Sequence, residues 1–308
     1  MKISYWANSQ QPWADILAGC RWAEASGWDG IWLPDHFMPV ADMKNGPGPT
    51  EKELDPCLEG WTTIAALAAL VPRVRVGLMV GGNTYRHPAL VAKMAATIDH
   101  ISGGRAVIGL GAGWQVNEHE RYGFDLGTPR ERSDRLEEAC ILIRKLFTDE
   151  RADFTGEHYR LVGAPAAPKP VQDRLPILVG GGGVKRTLRT VARHADEWNK
   201  WGRPDDMVEG IRDLHRWCET TGRNPGEIWV TAAALVRICT DDEDSTKHRA
   251  DAGHRGGLIG TIAQLRDAVA AYAAAGVDEL VIPDFTVAAD RREEIMGRLQ
   301  TEVLEPHI

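Results

Sequence analysis

The chain has 308 residues, a formal net charge of −8, and 43% hydrophobic and 26% charged residues. That composition excludes disordered and collagen-like chains and allows a large core without disulfides or metals. The acidic balance argues against nucleic acid as a partner, since phosphate binding needs a basic surface, but leaves room for a local basic pocket.

Strand and helix patterns alternate along the chain. Residues 2–7 read as a strand, with no apolar region or cleavage site of a signal peptide. Residues 12–26 read as a helix, with Ile16, Leu17, Cys20 and Ala23 on one face and Gly27 as its stop. A strand at 29–33, a helix at 60–70 and a strand at 74–80 follow. Pro88 opens a helix ending near His100, and 105–110 is a strand. Thr128-Pro129-Arg130-Glu131 is a capping box that starts a helix through Phe147. The remaining strands are 176–179, 196–200, 228–239 and 280–283. Helices follow them, reaching Ala195, over 207–221, from Thr261 to Gly276, and over 290–304.

Eight strands, each eventually followed by a helix, predict a parallel sheet with helical crossovers. Eight units in one chain of this length favour a (β/α)8 TIM barrel, a single domain over 1–308, above an open doubly wound sheet. Insertions follow strand 2 (38–59), helix 4 (148–173, with a hairpin around 154–159) and strand 7 (240–257). The longest apolar run, 64–71, is far short of the roughly 20 residues of a membrane span. Five scattered cysteines without a CxxC read as reduced thiols in a cytoplasmic protein.

Barrel active sites lie at strand C-termini, so those ends carry the candidates. Strand 2 runs into Asp35-His36, strand 3 into Met79-Val80-Gly81, strand 4 into Gly111-Ala112-Gly113-Trp114 with Asn117 beyond, and strand 5 into Gly180-Gly181-Gly182-Gly183. His36, an imidazole at a strand end that should face the cleft, is the candidate acid/base; a hydrogen-bonded structural histidine is the alternative. Four glycines before a helix, with Lys185 and Arg186 next, suit an anion such as phosphate; a flexible loop is the alternative. The GxGxG of strand 4 lacks the third glycine of a dinucleotide fingerprint. No GxSxG, no carboxylate pair at strand ends and no metal-ligand spacing stands out, so a cofactor enzyme without a metal is expected. Eleven tryptophans are more than half of the aromatic residues. Trp6, Trp32, Trp114, Trp198 and Trp201 fall at predicted strand ends, as candidate walls for a flat ligand.

Taken together, Leu33-Pro34-Asp35-His36-Phe37, Thr84-Tyr85-Arg86-His87-Pro88-Ala89, Ser102-Gly103-Gly104-Arg105, Gly109-Leu110-Gly111-Ala112-Gly113-Trp114 and Pro176-Ile177-Leu178-Val179 before the glycine run form a pattern. It resembles the luciferase-like monooxygenase superfamily over nearly the whole chain, and within it the oxidoreductases that use the deazaflavin coenzyme F-420. The resemblance implies hydride transfer between the deazaflavin and a small organic substrate. His36 would move the proton and Asp35 would orient it or bond the cofactor. Met79-Val80, with a non-proline cis peptide, and Gly81 would support the ring; Gly111, Gly113, Trp114 and Asn117 would contact it. Gly180, Gly181, Gly182 and Gly183 would hold the phosphate. Trp114 stands where sugar-phosphate dehydrogenases of this branch carry a glutamate, which speaks against a sugar phosphate. An FMN-dependent monooxygenase and a non-catalytic barrel are the alternatives, and a homodimer is expected.

Overall fold

The structure is a computed structural model and describes residues 1–39 and 51–305. In chain order the elements are β1 (Lys2–Trp6), α1 (Trp13–Ala25), β2 (Gly30–Leu33), α2 (Gly60–Leu70), β3 (Arg75–Leu78), β4 (Gly81–Gly82), α3 (Pro88–Ser102) and β5 (Ala106–Gly111). Next come α4 (Val116–Tyr122), α5 (Pro129–Thr148), β6 (Arg151–Thr155), β7 (Arg160–Pro165), β8 (Ile177–Gly180), α6 (Thr187–His194), β9 (Glu197–Trp201) and α7 (Pro204–Thr221). The chain closes with β10 (Trp229–Ala233), β11 (Val236–Ile238), α8 (Asp242–Ala252), β12 (Leu258–Gly260), α9 (Ile262–Ala274), β13 (Glu279–Pro283) and α10 (Arg292–Arg298).

The fold is a parallel (β/α)8 barrel, with β1, β2, β3 (continued by β4), β5, β8, β9, β10 and β13 as its strands. The chain divides into two compact units. In the unit of residues 1–8, 14–32 and 180–308, the parallel order is β2-β1-β13-β10-β9, with Tyr5 opposite both Ile31 and Ile282. In the unit of residues 9–13 and 33–179, β5 pairs with β3, β4 and β8. The apolar strand sequences follow from this arrangement, because parallel strands with helices outside are buried on both faces; β2 and β5 are buried throughout.

The helix ends follow local chemistry. Thr128 and Glu131 form the expected capping box, and Thr261 with Gln264 forms another. Gly103 and Gly222 close their helices in the left-handed conformation. The Arg105 guanidinium donates to the carbonyls of Ala68, Val71 and Val74, satisfying the last turn of α2 and the residues after it.

Four sequence expectations change. The strand expected over 228–239 is two strands, since β11 leaves the barrel to pair with β12 in a separate parallel ribbon. The insertion after it is the helix α8, not a loop. Asp241 caps it by accepting the Asp244 N–H at 2.9 Å, and the acidic residues that follow suit the positive end of its dipole. The hairpin is longer than expected: β6 and β7 pair antiparallel, and the Glu138 carboxylate accepts the N–H groups of Glu157, His158 and Tyr159 in its turn. The helix α4 has no counterpart among the expected elements. No helix among the described residues is long and apolar enough to cross a membrane.

Candidate active site

At the end of β2, Pro34 stops the ladder and the next two side chains part company. Asp35 is buried and faces Arg86, which donates to it through Nη1 at 2.7 Å and Nη2 at 3.0 Å, a two-pronged fit of guanidinium to carboxylate. The Gly82 N–H adds a third bond at 3.0 Å. Burial pushes the Asp35 carboxyl above its usual range, against the opposing pull of Arg86 and Gly82. Arg86 also donates to Glu59 at 2.5 Å, while Glu59 caps α2 through the N–H groups of Trp61 and Thr62. Asp35 therefore ties the segment after β2 to the N-terminus of α2 and to the segment after β4. It does not orient His36, as one sequence reading had it, because its oxygens are engaged elsewhere.

The partner of His36 is Glu118. His36 Nδ1 lies 3.0 Å from Glu118 Oε2, with the glutamate side chain fully buried and the imidazole 14% exposed. Glu118 also accepts the N–H groups of Phe37 and Met38 and the hydroxyl of Tyr85. Burial pushes its carboxyl up, but the hydrogen bonds and charge of His36, Tyr85 and Phe37 outweigh that and hold it below its usual value. An ionised carboxylate can only accept. Nδ1 must then carry the proton, and Nε2 is left as a base when the ring is neutral or a donor when it is charged. Nε2 has no hydrogen-bond partner among the described residues.

The environment of this pair is aromatic. Phe37 packs against Tyr85 at 5.0 Å and Phe124 at 5.3 Å between ring centroids, and Tyr122 donates to the Phe37 carbonyl at 3.0 Å. Those rings keep water from Glu118. The Trp114 indole, 43% exposed, meets the His36 ring edge-on at 5.7 Å. His119 is occupied at both nitrogens: Nδ1 donates to the Gln115 carbonyl at 2.7 Å and Nε2 accepts from Thr84 at 2.7 Å. It is a neutral brace, and burial lowers its pKa.

The peptide between Met79 and Val80 is cis, at the break between β3 and β4. Met79 is buried and Val80 half-buried. Gly113 has φ +86°, and a Cβ there would lie 2.6 Å from Thr84 Oγ1, so only glycine fits. A Cβ on Gly111 would lie 2.7 Å from Val80 Cγ2. Gly111, the last residue of β5, thus lets that strand approach the segment carrying the cis bond. Asn117 donates to Glu53 at 3.1 Å and Asn83 to Tyr159 at 3.2 Å, while the Oδ1 of each is buried without a partner among the described residues.

In the other unit, Gly181, Gly182 and Gly183 are exposed ahead of α6, and Gly181 has φ +128°. The Gly181 N–H is held by the Asn199 carbonyl at 2.9 Å, and Trp198 Nε1 donates to the Gly181 carbonyl at 2.8 Å. The aliphatic stem of Lys200 lies against Gly182. Trp198 is therefore a fully buried strut under the loop, not a pocket wall. Trp32 is likewise buried, donating to Glu279 at 3.1 Å.

Glu118, Tyr85, Arg86 and Glu59 had not been singled out by sequence. The available signal for Glu118 is its place four residues beyond Trp114, just after the strand end that carries the GxGxG.

A family model described as luciferase-like monooxygenase matches residues 1–257. An uncharacterized protein of Mycobacterium tuberculosis is 32% identical over 213 residues, covering 67% of this chain and 74% of that one. An F-420-dependent glucose-6-phosphate dehydrogenase of Kineococcus radiotolerans is 36% identical over 233 residues, covering 74% of this chain and 65% of the dehydrogenase. Among solved structures, an F-420-dependent secondary alcohol dehydrogenase in complex with an F-420–acetone adduct superposes with a TM-score of 0.81 at 18% identity, covering 98% of each chain.

Proposed function

Because the chain belongs to the luciferase-like monooxygenase family, we propose that it is an oxidoreductase dependent on the deazaflavin coenzyme F-420, acting on a small organic substrate. The observation that carries this reading is the His36–Glu118 pair. It fixes one imidazole proton and leaves Nε2 for a substrate oxygen or carbon. When bound, the coenzyme supplies or takes the hydride.

The residues present suit such a group. The buried, unpartnered Oδ1 atoms of Asn83 and Asn117 are acceptors for ring N–H groups. Gly81, Gly111, Gly113 and Trp114, with Met79 and Val80, are proposed to contact the ring. Gly180 and the exposed Gly181, Gly182 and Gly183, with Lys185 beside them, are proposed to take the phosphate.

The chain's own part in the chemistry is proton handling and placement. With an alcohol as substrate, neutral His36 Nε2 accepts the hydroxyl proton as the carbon is oxidised. With a reducible bond as substrate, the charged ring returns a proton. Glu118 stabilises the imidazolium in both directions, and general acid–base groups of this kind contribute about 10²–10⁴-fold. Asp35 serves this arrangement indirectly, by fixing the strand end that carries His36. The proposal extends to a homodimer in the cytoplasm, where the five free cysteines stay reduced.

Parallel titrations with coenzyme F-420 and FMN, followed by tryptophan fluorescence, test the reading. F-420 is expected to quench and FMN to do so weakly or not at all. Binding of FMN alone, with oxygen uptake when it is reduced, would make the chain a monooxygenase. Binding of neither would make it a non-catalytic barrel.

A further inference from the structure

We propose that Trp6, Trp201, Phe285 and Arg255 form a subsite for the carboxylate of a flat aromatic or conjugated organic acid. Trp6 ends β1, Trp201 ends β9, Phe285 lies two residues beyond β13, and Arg255 closes the 3-10 turn Gly253–Arg255 in the insertion after β10. All four therefore sit at or beyond strand C-termini, the functional end of a barrel.

The rings make a box. Trp6 lies 5.2 Å from Trp201 and 5.0 Å from Phe285 between centroids, tilted to the first and edge-on to the second. The Arg255 guanidinium lies over the Trp201 ring at 4.8 Å. Two hydrogen-bond donors in this box are unused. Trp6 is 5% exposed, and its Nε1–H has no acceptor among the described residues. Arg255 Nε is buried and equally without an acceptor, and no carboxylate among the described residues pairs with this guanidinium. A buried N–H left unpaired is unfavourable. A half-buried cation with no counter-charge is also unfavourable.

The carboxylate nearby is already committed. Asp206 accepts the Arg203 backbone N–H at 2.9 Å, while Lys200 donates to the Asp206 carbonyl at 2.8 Å. Arg203 in turn donates to the Gly253 carbonyl at 2.8 Å, holding the turn that carries Arg255. What the box lacks is an acceptor with negative charge, and what it offers beside the donors is aromatic surface. A ligand that satisfies both is a carboxylate on a conjugated or aromatic body.

As a substrate subsite the assignment rests on the oxidoreductase reading above; as an anion-binding box it does not. The test therefore uses cofactor-free full-length protein and is separate from the coenzyme titrations. Benzoate is titrated by calorimetry, with benzyl alcohol as its neutral counterpart. Wild-type protein is expected to bind benzoate. Arg255→Gln weakens that binding about tenfold or more, as loss of a charge-assisted bond requires. Trp6→Phe keeps a ring and removes the N–H, weakening it about three- to fivefold. Benzyl alcohol binding is insensitive to Arg255→Gln, and Arg216→Gln, an exposed cation on α7, changes nothing. If Arg255→Gln does not fold, Trp6→Phe decides alone. Absence of benzoate binding to wild type, or wild-type affinity in the folded variants, overturns the proposal and leaves the Arg255–Trp201 stack as a tie for the insertion.

Discussion

His36 Nδ1 stands 3.0 Å from Glu118 Oε2, a carboxylate with no solvent exposure that collects three further hydrogen bonds. The two residues are 82 positions apart, one after β2 and the other on α4. The contact fixes a tautomer and places a negative charge behind the ring, so under the proposed function the nitrogen offered for proton transfer is set by a group on its far side.

Replacing His36 by alanine is expected to lower kcat by about 10²–10⁴-fold, the usual worth of a positioned acid–base group. Coenzyme affinity should stay within about threefold of wild type, because the residues proposed to hold it are elsewhere. Steady-state kinetics with a coenzyme titration checks this; full turnover in the variant would end the proposed role.

Glu118→Gln removes the charge but keeps the shape. We expect kcat to fall about tenfold with KM nearly unchanged, and the pH–rate limb that belongs to His36 to move to lower pH, since the imidazolium loses its counter-charge. A pH profile that does not move would assign Glu118 a purely structural role.

The same residue predicts a stability signature. Its folded-state pKa lies below the unfolded value, so its contribution is fully present above about pH 4.3 and is lost as pH falls through the folded value. Thermal melts of wild type and Glu118→Gln should therefore converge on acidification. A difference that grows below that pH would contradict the sign.

Arg86→Met leaves the buried Asp35 carboxylate without its partner, and this should cost about 3–5 kcal/mol, the range for breaking a buried pair. The double variant Asp35→Leu, Arg86→Met should lose less than the single one. Urea unfolding of both chains decides it.

Gly113→Ala adds a Cβ at φ +86° and 2.6 Å from Thr84 Oγ1, with an expected loss of about 1–3 kcal/mol from the backbone and the clash. Unchanged melting would contradict the backbone and clash argument, whatever the variant does to coenzyme binding.

The barrel was legible because its strands are short apolar runs and its helices carry strong local signals, such as the Thr128 capping box and Pro88 at a first helical position. The strand expected over 228–239 differs because Ala234-Leu235 carry the apolar run of β10 on into β11, and only tertiary pairing with β12 separates them. Asp35 and His36 are legible by position at a strand end, but of the two roles open to Asp35, orienting His36 is not what its bonds do. Adjacent residues share no side-chain face, and the true partners, Arg86 and Glu118, come from distant segments that periodicity cannot connect. Among the tryptophans, Trp32 and Trp198, expected at strand ends, turn into the core, because a position along a strand does not specify which side of the pleat is buried.

The most direct test of the central claim is nitrogen NMR on protein carrying labelled histidine, with His36 assigned by its alanine variant. Above the ring's pKa the account predicts a protonated Nδ1 and a bare Nε2 for His36, a pattern lost in Glu118→Gln. A proton found on Nε2 instead would contradict it, since the nitrogen offered to the substrate could then no longer act as the base.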